Sequence, residues 1–445
     1  MASKRRVRSA AGCRAGPGVR TRRAARTEAG SPGACLSGIV GVVSVPVPRS
    51  VALAEGSAAI VNDLSDQPLS VPPRILGDLG PRDSGPVFIC FCVVHGNEPA
   101  GLLAIQRLVA RLQSTGVELA GRFVGVIGNA QAYAAGKRFL EIDLNRAFQP
   151  ERLERLRRDG AEPLCPEEAE LVALDELLRE AQSLAAGRPV FLLDLHSTSG
   201  GGAPFSVLDD TLKNRAFAFH IPVPHVLGLE EELVGTVTSQ ANRMGLVAMA
   251  FEAGQHDDPE SIDRAEAAIL IALEASGVLP PGQLDAKGAR QLLASATSGL
   301  PRVVEVRRRH ALAQGHQFRM EPGFHNFDAI RRGQLLATDG GEPVAADRNA
   351  RLLMPLYQGQ GDDGFFIVHD VKPIWLELSA WLRGLPLHGL LHWLPGVRRH
   401  SQRPETLIVD KHRARWLALQ VFHLLGYRRR RGKNRTLVMT RRDRG

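Results

Sequence analysis

Val87-Phe88-Ile89-Cys90-Phe91-Cys92-Val93-Val94 leads straight into His95-Gly96-Asn97-Glu98. A short, unbroken apolar run of this kind suits a strand buried on both faces, and such strands belong to parallel sheets covered by helices. The run delivers an imidazole and a carboxylate, three residues apart, into the crevice at its carboxyl end, and that pair suits zinc. Alone, a His-x-x-Glu pair is more often a surface or capping pair, so a third ligand is needed.

Phe191-Leu192-Leu193-Asp194-Leu195-His196-Ser197-Thr198 offers one at the end of a second apolar run. Loops leaving the carboxyl ends of neighbouring strands converge in an open α/β sheet, so His95, Glu98 and His196 can meet around one metal with a fourth position open to water. A third run, Leu246 to Phe251, ends at Glu252, a carboxylate free to take a proton from that water. Asp194 lies two residues before His196 on the same side of its strand, where it either orients the imidazole or caps the following loop. His256 could assist proton movement, but a turn histidine is the plainer reading. Cys90 and Cys92 share one face of an apolar strand and read as core.

These residues resemble the succinylglutamate desuccinylase/aspartoacylase family of the zinc carboxypeptidase superfamily. The resemblance runs through His95-Gly96-Asn97-Glu98-Pro99, Asp143-Leu144-Asn145-Arg146, Asp194-Leu195-His196-Ser197 and Phe251-Glu252-Ala253-Gly254, and covers about residues 70 to 370. It implies one zinc ion per chain held by His95, Glu98 and His196, with Glu252 as the base. It also implies that Asn145 and Arg146 bind the substrate carboxylate and that Arg138 polarises the scissile carbonyl. Guanidinium suits both tasks, since it binds carboxylates in bidentate fashion and keeps its charge beside an oxyanion. The implied activity is hydrolysis of an N-acyl amino acid of acetyl or succinyl type, the amino acid being acidic. A carboxypeptidase is the alternative on the same fold, and a non-catalytic binding module using the basic tail is the alternative of another class. The chain departs from the family at Phe365-Phe366, where aspartoacylases place a tyrosine, so N-acetylaspartate does not transfer as the substrate.

Around the motifs, strands over 87–94, 122–128, 189–195 and 246–252 alternate with helices over 99–114, 166–182, 233–244 and 259–275. This predicts an α/β fold, a mixed or mostly parallel sheet covered by helices. Short alternating runs such as Arg302-Val303-Val304-Glu305-Val306 then suggest a small β domain. The expected division is a disordered basic segment over 1–50, a catalytic domain over 51–298, the β domain over 299–370 and a basic α+β extension over 371–445. Gly200-Gly201-Gly202 reads as an ordinary turn.

With 445 residues there is room for a catalytic domain and a smaller unit, and five scattered cysteines favour a reducing, cytoplasmic setting over a disulfide framework. Leu36 to Val47 followed by Ala52-Leu53-Ala54 gives only a weak signal for export, and an upstream extension of the gene explains it as well. The net charge of +9 belongs to the ends: nine Lys/Arg against one acid in 1–30 and seventeen against four in 371–445, which leaves −12 between. An acidic body that binds an anion must do so with locally placed arginines. The run Arg428 to Arg431 could touch nucleic acid or another polyanion, but without interleaved aromatics a solvated or partner-facing surface, separable from catalysis, is favoured.

Overall fold

A computed structural model describes residues 72–158, 162–313, 315, 317–385, 390–401, 403, 405–410, 418–430, 436–441 and 443. The expectations for residues 1–50 lie outside these. The first half of the chain runs β1 (Ile75–Leu79), β2 (Val87–Cys92), α1 (Ala100–Thr115), β3 (Arg122–Ile127), α2 (Ala130–Ala134), α3 (Pro150–Leu156), α4 (Pro166–Ala185), β4 (Val190–Thr198) and β5 (Phe205–Val207). Next come α5 (Leu212–Ala218), β6 (His225–Leu227), α6 (Leu229–Glu232), α7 (Val237–Arg243), β7 (Val247–Gln255), α8 (Glu260–Ala275), α9 (Ala286–Ala296) and β8 (Val303–Ala311). The remainder holds β9 (Phe318–Met320), β10 (Ala329–Ile330), β11 (Leu335–Asp339), β12 (Glu342–Ala345), β13 (Ala350–Leu353) and β14 (Asp363–Asp370). Last are α10 (Pro373–Gly384), β15 (Val397–Arg399), β16 (Thr406–Asp410), α11 (Ala418–Leu424), β17 (Tyr427–Arg430) and β18 (Thr436–Arg441).

Eleven strands form one sheet in the order β1-β3-β2-β4-β7-β5-β6-β8-β14-β13-β10. Its centre, β3-β2-β4-β7, is parallel, so the carboxyl ends of β2, β4 and β7 reach the same edge side by side. Every residue of β2 is buried, and alternation splits them between two cores. Phe88, Cys90 and Cys92 pack in the core that contains α1 and α8, while Val87, Ile89 and Phe91 pack in the core that contains α4 and α7. Truncating a side chain such as Phe91 would cost about 3–5 kcal/mol. Both cysteines are free and buried, and burial raises their thiols well above the ordinary range.

The expected separation at residue 298 does not hold as a break in the sheet. β8 pairs in parallel with β6, and β14, β13 and β10 continue the same sheet, leaving β9, β11 and β12 as a three-stranded sheet of their own. The reason is edge satisfaction: β6 has three residues, and pairing with β8 covers its free backbone groups. The helix expected over 233–244 is shorter, running Val237–Arg243. Gly235 has φ +81° and a Cβ there would lie 2.3 Å from the Arg146 carbonyl oxygen, so the helix starts only at Val237, capped by Thr236.

Residues beyond 371 form α10 packed on α11 and a four-stranded sheet, β15-β16-β18-β17, around Phe422 and Met439. The outward-facing arginine run is corrected at its first member, because Arg428 is only 2% exposed. It pairs with Asp210, Glu231 and Glu305 of the body, since a guanidinium can be buried only against carboxylates. No described helix is long and apolar enough to cross a membrane.

Candidate metal centre

β2, β4 and β7 lie next to one another, and their ends supply the functional groups. Val93, the first residue past β2, takes φ 55°, an uncommon conformation for a β-branched residue, and turns the chain toward His95. That turn is pinned by Gly128 N donating to Cys92 O at 2.8 Å and Asn129 N to Val93 O at 2.7 Å. Gly96 is required by crowding: a Cβ there would lie 2.3 Å from the Ala132 carbonyl carbon.

His95, Glu98 and His196 are all buried, with ligand atoms within 4.8 Å of one another. Nδ1 of His95 is 2.9 Å from Glu98 Oε1, and Nδ1 of His196 is 2.9 Å from Glu98 Oε2. The far nitrogens are each anchored by an aspartate: His95 Nε2 lies 3.2 Å from Asp143 Oδ1 and His196 Nε2 lies 2.7 Å from Asp194 Oδ2. Both imidazoles thus present one nitrogen inward and have the other held by a carboxylate, the arrangement that orients histidine toward a metal. Glu98, Asp143 and Asp194 outnumber Arg138 around the two imidazoles, a negative surplus that suits a divalent cation. The donor set fits zinc on these grounds.

Glu252 stands opposite His196 in the β4/β7 ladder, and its Oε2 is buried without a hydrogen-bond partner. Burial pushes its carboxyl up to about 8, the Glu98 charge adding and the His196 and Arg138 charges opposing. For Glu98, burial alone would raise the carboxyl, but the two imidazoles hold it well below the carboxylate range. His196 moves the other way: burial would lower it, yet Asp194 and Glu98 raise it well above its ordinary value.

Arg138 reaches into the same cluster, donating to Glu98 Oε1 at 3.1 Å and Asp143 Oδ2 at 3.4 Å. Asp143 also caps the short 3₁₀ turn over Leu144–Arg146 by accepting from Asn145 N at 2.8 Å, which fixes the two residues that follow. Asn145 Oδ1 accepts from Val237 N at 3.0 Å, and its Nδ2 is 3.3 Å from His196 Nε2. Arg146 donates to Asp363 Oδ2 on β14 at 3.1 Å, and Asp363 also pairs with Arg309 of β8. Arg138, Asn145, Arg146, His95, His196 and Glu252 all line one cavity of about 70 Å³.

The seven residues singled out from sequence therefore come together. Asp143 and Asp363 were not assigned roles there: Asp143 could have been found by analogy with Asp194, each two residues ahead of a site residue, whereas Asp363 carries no local signal. His256 contacts Ser197 Oγ at 2.8 Å and Gln358 Oε1 at 3.2 Å. Gly202, at φ +118°, bridges to Asn326, so the glycine run packs against another loop. Phe365 and Phe366 are both buried on β14, Phe365 stacked on His310 at 4.9 Å, and no hydroxyl stands there.

The model of the succinylglutamate desuccinylase/aspartoacylase catalytic domain matches residues 84–276, a span that contains every one of these metal-cluster and cavity motifs. Those residues form a catalytic domain of this family. Succinylglutamate desuccinylase of Pseudomonas paraeruginosa is 39% identical over 70 residues, 16% of this chain and 21% of that protein. The Burkholderia lata enzyme of the same name is 27% identical over 267 residues, 56% of this chain and 68% of the relative. The chain thus aligns with only about a fifth of the first relative's length. Among solved structures, a succinylglutamate desuccinylase/aspartoacylase from Rhodobacter sphaeroides is 19% identical with a TM-score of 0.48, covering 65% of this chain and 87% of that one. Succinylglutamate desuccinylase from Vibrio parahaemolyticus is 20% identical with a TM-score of 0.46, covering 66% and 84%. The extension beyond residue 371 lies outside the matched catalytic domain of this family member.

Proposed function

We propose that this family member is a zinc-dependent deacylase that hydrolyses the amide bond of an N-acyl amino acid. One observation carries the reading: a buried His95–Glu98–His196 cluster has an unpartnered carboxylate, Glu252, in register beside it and Arg146 in the same cavity. His95, Glu98 and His196 would hold zinc. Bound there, the ion would supply Lewis-acid polarisation and a lowered pKa for water. Glu252 accepts a proton from the attacking water and returns it to the amine nitrogen as the C–N bond breaks, so the products are a carboxylate and a free amino acid. Arg138 stabilises charge on the carbonyl oxygen, and Arg146 with Asn145 holds the α-carboxylate. Asp143, Asp194 and Asp363 are positioning residues for His95, His196 and Arg146.

The small cavity favours a small substrate over a peptide. An acidic amino acid and the succinyl or acetyl identity of the acyl group rest on the resemblance, and a cytoplasmic setting rests on the five scattered cysteines. The test is a panel of N-acetyl, N-succinyl and N-formyl amino acids beside peptides assayed for loss of the C-terminal residue, with added zinc and with chelator. Acyl-acid release that chelation abolishes and zinc restores is expected; release only of C-terminal residues, or activity indifferent to chelator, would overturn the proposal.

A further inference from the structure

The cavity that holds Arg146 also contains a carboxylate that the deacylase chemistry does not use. Asp209 follows β5 and is 3% exposed, yet it lines this cavity together with Thr236 and Thr238. Its Oδ1 accepts from Ser239 Oγ at 3.3 Å, whereas its Oδ2 is buried with no hydrogen-bond partner. A buried carboxylate oxygen without a donor is costly, and the cost is largest when the group keeps its charge. The arginines gathered at the next residue do not relieve it, because Arg215, Arg383 and Arg428 each pair with Asp210.

Resting on the deacylase reading, we infer that the substrate supplies the missing donor: the amino acid it releases carries a cationic side chain whose ammonium group meets Asp209 Oδ2. Arg146 and Asn145 take the α-carboxylate, and Asp209 takes the charge at the other end. A second substrate carboxylate would instead be forced against Asp209 and Glu230, which line the same cavity. Like charges at that range in a buried setting disfavour binding. This departs from the acidic amino acid that the family resemblance implies.

Three Nα-acetyl derivatives of similar length separate the charges: ornithine (cationic), norvaline (neutral) and glutamate (anionic). With the zinc-loaded protein, kcat/KM for the ornithine derivative should exceed that for norvaline by about tenfold or more, with glutamate lowest, as expected where a buried polar group is left unpaired by the wrong ligand. In Asp209→Asn the ornithine-to-norvaline ratio should fall to within about threefold, because the amide keeps the shape and loses the charge. Equal rates, a preference for glutamate, or a preference that survives in Asp209→Asn would overturn the inference, and the first two need no variant. Calorimetric binding of the same three compounds separates this inference from the one it rests on. Tighter binding of the ornithine derivative without hydrolysis would sink the deacylase reading and sustain the Asp209 assignment; equal binding, or none, would overturn the latter.

Discussion

Glu252→Gln keeps the shape of the side chain and removes the acceptor, so it isolates the proton-transfer role. Hydrolysis should fall about 10²-fold or more while metal content, read by elemental analysis, stays near one zinc per chain. Turnover within a few-fold of the native enzyme would remove Glu252 from the mechanism. Arg146→Ala should act mainly by raising KM, and Asp363→Asn should produce a weaker change of the same kind, since Asp363 reaches substrate only through Arg146. A purely kcat effect in either variant would contradict the assignment. At this scale the sequence was legible wherever a strand end announced the residue: His95, His196 and Glu252 each follow an apolar run. Asp363 was not, because 217 residues separate it from Arg146 and nothing near it in the chain marks the pairing.

The elements of the extension are fastened to the body by Asp210. It accepts from Arg383 Nη2 at 2.8 Å and from Arg428, and Arg428 Nη1 donates to Glu305 Oε1 at 2.9 Å and to Glu231 Oε1 at 3.2 Å. Leu208, Asp209, Leu229 and Glu230, the neighbours of Asp210 and Glu231, line the cavity. The extension therefore props one wall of the pocket. Arg428→Gln leaves buried carboxylates short of a partner and should destabilise the docked extension by about 3–5 kcal/mol. All four tryptophans lie at or beyond Trp375, so tryptophan fluorescence reports this unit alone. The midpoint of its denaturant transition should drop in the variant and KM should rise; an unchanged midpoint would show that the arginine carries no load. Of the elements, α1, α4 and α8 were legible because their apolar period is uninterrupted, but the late start of α7 was not, since Gly235 lies against the Arg146 carbonyl of another loop.

For the whole molecule, the buried ion pairs set the response to acid. Burial alone would raise Asp210, yet Arg428, Arg383 and Arg215 hold it well below the carboxylate range; Glu305, likewise buried, is held at about 2 by His423 and Arg428. Both folded values lie beneath those of the unfolded chain, so their contribution is complete above about pH 4.3 and is lost as pH falls toward 2. Burial, with Arg302 adding, lowers His225 to about 3, which removes stability over an earlier window, from about pH 6.5 downward. The raised Glu252 carboxyl keeps its proton in the folded state and offsets this loss over the same window, so tryptophan emission should shift only below about pH 4.3. A fluorescence change complete by pH 5 would mean that other groups hold the extension.

Arg428 and Asp210 meet across 218 positions of chain. During synthesis, β2, β4 and β7 are all complete long before Arg428 is translated, and contacts between neighbouring parts of the chain form first. A nascent polypeptide can thus assemble His95, Glu98, His196 and Glu252 while the wall beside Asp209 still lacks its prop. On the proposed function, the ability to capture a metal would precede the ability to choose a substrate, and a chain arrested between the two would be a metal-loaded but undiscriminating intermediate.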